Sequence, residues 1–245
     1  VRTFVSSFLR SGGSLQAASE LVMLSTASLL DRLVVGDVTT TIENSLRESL
    51  TEFQEVGIDL TQLLSIWNPS ELANLADSAK LAQLQTLIQD VIDDNNDEVL
   101  NALLEQRFTR YRNQLIVLAP DLGQANASPN DLVDRFLTVN NPNISELQAV
   151  RLYARNVESF VRSFLRNGGS NRAASELVAL STASLLDRLL VGDVTNAVEN
   201  QLVESLTQFQ GIGINLNRIP GIWNAAELAG VADTAKLAQL QTLLP

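Results

Sequence analysis

Apolar residues recur every three or four positions along most of the chain, the spacing of amphipathic helices. Between Ser14 and Val35, Ala18, Leu21, Val22, Leu29, Leu30 and Leu33 fall near one helical face. Gly12 and Gly13 before this stretch and Gly36 after it are stop signals. Asp37 stands where an N-cap belongs, and the pattern then runs to about Glu55, with Gly57 closing it. A short helix is expected from Asp59 to Ile66. In NPSELANLADSAKLAQLQTLIQDVI (68–92), Asn68 is the cap, Pro69 the first helical residue, and Glu71 lies three positions on, predicting one helix over the stretch. The acidic run DDNND (93–97) predicts a break before a helix to about Ala119. PDLGQANASPND (120–131) reads as a linker, followed by a short helix to Val139. NNPN (140–143) then launches a long helix to Arg166, with Asn143 as cap and Glu146 three residues later. No alternating run bounded by turns supports a sheet.

The pattern is written nearly twice. FVSSFLRSGG (4–13) returns as FVRSFLRNGG (160–169), STASLLDRL (25–33) as 181–189, and AKLAQLQTL (79–87) as 235–243. Aligning 1–87 with 157–243 leaves roughly 60 of the 87 pairs identical, polar positions included. The segment 88–156 occurs once. The expected fold is therefore all-α, as tandem helical-bundle repeats with a period of about 156 residues. The expected division is a unit over 1–119, truncated at its start, a linker over 120–130, and a second unit over 131–245, truncated at its end. A period of this length exceeds that of ordinary solenoids, which favours separate globular beads. Val1 in place of Met and the mid-helix start predict a processed product or a fragment of a longer array.

Composition narrows the function classes. Aromatics are 5% of residues, so Leu, Val, Ile and Ala must build the core. A formal net charge of −11 repels phosphate backbones and argues against nucleic-acid partners. The longest apolar run is short, as in LIVLA (115–119), so no membrane-spanning helix is expected. The chain has no His and no Cys, which removes imidazole acid–base chemistry, thiol nucleophiles, disulfides and metal sites built on either residue. Lys80 and Lys236 are the only lysines; the other fifteen basic residues are Arg, whose planar fork suits fixed pairs with carboxylates.

No catalytic constellation emerges. Glu43 and Glu48, with Glu199 and Glu204, and Asp31 with Asp187, are the carboxylates to consider, but a solvated helix face is the plainer reading. DDNNDE (93–98) lacks the central Gly and the twelfth-position Glu of a calcium loop. GGS (12–14 and 168–170) lacks the lysine and strand of a phosphate loop and reads as a helix break. Asn126 and Asn143 each head a glycosylation triplet. Trp67 and Trp223 hold the same place in each copy, either as core anchors at a turn or as aromatics at an interface between repeats. No cofactor or metal is called for.

The stretch LRNGGS (165–170), within a repeated helical unit, resembles the opening of the helical repeat domains of spider wrapping or attachment silks. Those domains are richer in Ser and Gly and poorer in charge. The resemblance implies an all-helical unit that works in tandem. Together these features lead us to expect a non-catalytic structural or assembly protein whose partners are copies of itself or adjacent repeats. A helical carrier for a lipid, pigment or other apolar molecule is the alternative.

Overall fold

The computed structural model describes residues 2–74, 76–123, 127–137 and 144–244. Among them every regular element is a helix and no strand occurs. In order these are α1 (Arg2–Arg10), α2 (Leu15–Val35), α3 (Thr40–Glu55), α4 (Leu63–Ile66), α5 (Pro69–Leu72), α6 (Ser78–Leu118), a 3-10 turn (Ala119–Leu122), α7 (Pro129–Phe136), α8 (Glu146–Arg166), α9 (Asn171–Val191), α10 (Asn196–Gly211), α11 (Ile219–Ile222), a second 3-10 turn (Ala225–Glu227) and α12 (Thr234–Thr242).

The chain forms two compact units, Val1–Glu98 and Val99–Pro245. The first core gathers Val5, Val22, Leu30, Leu50, Leu63 and Leu84 around α2, and α6 adds residues as far as Ile92. The second core is built around α9 and draws on α6 from Leu100 onward, together with the 3-10 turn at Leu122 and α7 at Leu132. The segment 120–130 lies within the second unit; its residues 124–126 are outside the described residues.

Local signals explain most boundaries. Ser14 and Ser170 each accept the backbone N–H three residues on, opening α2 and α9. Gly12 and Gly168 have φ of +87° and +85°, a conformation that glycine adopts freely, and so end the preceding helices. The next glycine is needed for another reason. A Cβ on Gly13 or Gly169 would sit 2.3 Å from the Phe8 ring or 2.4 Å from the Phe164 ring. GGS is thus a helix terminator against an aromatic face.

Four expected details differ. Thr39, not Asp37, caps α3, and Thr195 does the same for α10. The expected Asp59–Ile66 helix shrinks to α4, because the Asp59 carboxylate turns back to accept the Thr61 N–H. Asn68 does accept from the Ser70 N–H, but it opens only the single turn α5; a second cap at Asp77, accepting from the Ala79 N–H, starts α6. DDNND is no break: it lies inside α6. Arg47 pairs with Asp90 at 3.1 Å and Asp94 at 3.5 Å, and Gln89 donates to Asp93 one turn on, which offsets the poor helix propensity of Asp and Asn. The division between the two units follows just after this run, between Glu98 and Val99, inside α6. Ser145, with Gln148 in a capping box, opens α8. The expected cap Asn143 and the expected helix end at Val139 lie outside the described residues.

Candidate functional site

Matching polar side chains make matching contacts in the two units. The Trp67 indole N–H donates to Asp31 at 3.1 Å, and the Trp223 indole N–H donates to Asp187 at 2.8 Å. Both rings are buried, each in its own unit's core. Each therefore anchors the turn before α5 or the second 3-10 turn to the central helix of its unit. Lys80 donates to the carbonyl of Gly36, and Lys236 to that of Gly192 at 2.8 Å. The only two lysines of the chain therefore each close the C-terminal end of a central helix, where a cation is favoured. Gln83 donates to Glu43, and Gln239 to Glu199 at 2.8 Å. Asn68 donates to Glu71 at 3.0 Å, and Asn224 to Glu227 at 3.2 Å. Of the carboxylates singled out in sequence, Asp31, Asp187, Glu43 and Glu199 are thus structural acceptors. Glu204 accepts from Gln201 and Gln208 on the surface of α10, and Glu48 is exposed on α3.

The second unit adds a buried ionic cluster to this pattern. Arg107, from α6, is fully buried and meets Asp187 at 2.9 Å and Glu227 at 2.9 Å, and it also donates to the Asn224 carbonyl. Arg110 meets Glu227 at 2.8 Å. The Arg107 and Arg110 guanidinium carbons lie 5.8 and 5.7 Å from the centre of the Tyr111 ring. Burial pushes the Asp187 carboxyl above its ordinary pKa, against the pull of the Arg107 and Trp223 hydrogen bonds. Hydrogen bonding from Arg110 holds Glu227 below the usual carboxylate range, with further help from Asn224 and the Arg107 charge. Burial, and then the Asp187 charge, raise the Tyr111 phenol. Such a cluster costs desolvation that its pairing roughly offsets, so it fixes geometry more than it adds stability.

The sequence reading missed Arg107, Arg110, Tyr111 and Glu227. One signal was present. Leu100, Leu104, Arg107, Tyr111 and Leu115 follow helical spacing, which puts an arginine on the apolar stripe of α6. A cation there requires a buried acid, and Asp187 lies 80 residues further along the chain.

Among the clefts of the second unit, two border the residues described above. One, of about 1090 Å³, runs past the first turn of α9 and is lined by Asn113, Gln114, Asp121, Arg172, Asn215 and Arg218 among others. Arg218 pairs across it with Glu176 at 3.0 Å. The other, of about 690 Å³, borders Tyr111, Ser184, Asp187 and Arg188 beside Leu104 and Phe108. Among the described residues, no group of three or more His, Cys, Asp or Glu is placed to hold a metal ion. No helix among them is long and apolar enough to cross a membrane. Asn126 and Asn143 lie outside the described residues.

Comparison with protein-family models, with curated proteins and with solved structures yields no match.

Proposed function

We propose that the chain is a non-catalytic structural or assembly protein, built of tandem, near-identical helical repeats with a period of about 156 residues. It would serve as a component of a fibre, sheath, matrix or scaffold. One observation carries this reading. Matched residues of the two units make the same polar contacts, from Trp67–Asp31 and Trp223–Asp187 to the two lysines on the helix ends. The repeated polar groups hold each unit in shape. Copying such a unit multiplies length and valency without new chemistry. The net charge of −11 keeps units apart until assembly conditions screen it.

The test has two arms. Sedimentation and electron microscopy of the purified chain across salt and concentration should show self-association into ordered filaments. Solvent extraction with mass spectrometry should yield no stoichiometric small molecule. A chain that stays monomeric throughout, or one that carries a lipid or pigment at one per unit, overturns the proposal; the second result favours a carrier.

A further inference from the structure

Helices α2 and α9 match at most positions, yet their outer faces differ in exposure. Leu21, Leu24 and Leu29 are 44%, 60% and 44% exposed, whereas Leu177, Leu180 and Leu185 are 0%, 0% and 1% exposed. Ser28 and Asp31 are exposed where Ser184 and Asp187 are buried. The side chains are the same; only what lies over them differs. Over α9 lie residues from the segment 99–156, which has no counterpart in the first unit. Arg107 pairs with Asp187, the Leu137 carbonyl accepts from Ser184, the Ile144 carbonyl accepts from Arg188, and the Tyr153 hydroxyl meets Thr182.

We propose that the exposed face of α2 is a docking surface for another copy of the 99–156 segment, whose arginine equivalent to Arg107 takes Asp31 as its partner. The inference rests on the repeat reading above and names the partner that reading leaves open. Three features select this occupant. Leu21, Leu24 and Leu29 match Leu177, Leu180 and Leu185, which are buried on the helix that the segment contacts at Thr182, Ser184, Asp187 and Arg188. Asp31 makes no ion pair among the described residues, and Trp67 already orients it as Trp223 orients Asp187. The segment brings Arg107, Arg110 and Arg112 within two turns of helix, a cationic cluster suited to an acidic chain.

The test uses the full chain and a labelled polypeptide of residues 99–156. The polypeptide should bind saturably, at one per chain, and slow hydrogen exchange in α2 while leaving α9 unchanged. Arg107→Ala in the polypeptide and Asp31→Asn in the chain should each weaken binding by about tenfold or more, and together no further than the stronger of the two. Binding that protects only the second unit, indifference to both substitutions, or no binding overturns the proposal. A fusion placing 99–156 directly ahead of Val1 guards against a polypeptide that fails to fold. There α2 should become as protected as α9, and unchanged exchange in α2 again overturns the proposal. These measurements read one chain at a time, so docking can fail while filaments form, and filaments can fail while docking holds.

Discussion

Helices α2 and α9 are nearly one sequence in two environments. In α9 even Ser181, Thr182 and Ser184 are buried, each with a backbone carbonyl to bond: Ser181 with Leu177, Thr182 with Val178, Ser184 with Leu137. In α2 the matching Ser25 and Ser28 are exposed, beside three half-exposed leucines. Local sequence specifies the helix, its caps and its inner face. Whether the outer face is wet or dry is decided by residues from outside the matched region. Complete burial of a leucine is worth about 1.5–3 kcal/mol, so the outer face of α2 leaves part of that stabilisation unused at three positions.

The sharpest way to break this comparison is at the shared aspartate. Asp187→Ala strands the buried Arg107 charge and should cost about 3–5 kcal/mol in the second unit. Asp31→Ala loses one indole hydrogen bond at an exposed carboxylate and should cost about 1 kcal/mol in the first. Urea unfolding, followed through unit-resolved hydrogen exchange, measures both; equal costs would show that the ionic cluster does not distinguish the units. A somewhat smaller contrast is expected at the outer leucines. Leu180→Ala should cost about 2–4 kcal/mol through the cavity it leaves, and Leu24→Ala should stay within about 0.5 kcal/mol. The same unfolding experiment decides it.

The smallest effect is a pH dependence confined to the second unit. Arg110 holds Glu227 below its ordinary pKa in the folded state. A carboxyl depressed on folding contributes stability above its unfolded pKa, and that contribution is lost as pH falls through the folded value. Asp187 is shifted up by burial and acts in the opposite sense, stabilising as pH falls toward the ordinary carboxylate range. Glu227→Gln isolates the first contribution: it should reduce stability at neutral pH and flatten the acid limb of the second unit's unfolding curve. An unchanged acid limb would show that Glu227 is not coupled to folding.

The helices themselves were legible because their punctuation is local. Ser14, Gly12, Gly36 and Gly57 act within a turn or two, and the capping signals at Asn68 and Pro69 do what their spacing says, although for one turn only. The acidic run misled because propensity was weighed without Arg47, which stands over it from α3. The cap of α3 lies two residues beyond the expected Asp37, since Asp37 and Thr39 are both competent caps and the Thr39 hydroxyl is the one that accepts the Ile42 N–H. The tryptophans were visible as a matched pair, but the aspartates that receive them sit 36 residues away, beyond any periodicity. Identity at polar positions is a mark of copying. Half of its explanation is mechanical, since Asp31, Glu43, Asn68, Lys80 and Gln83 are all engaged in fixed hydrogen bonds, as are their counterparts.

The lone 99–156 segment has a topological consequence. Within residues 1–245 the central rod is written twice, and the segment that lies over it on α9 once. Moving that segment from one rod to another bares one rod for each that it covers. Exchange of this kind therefore gains no net burial by itself, and it drives association only where a further copy of the segment is supplied.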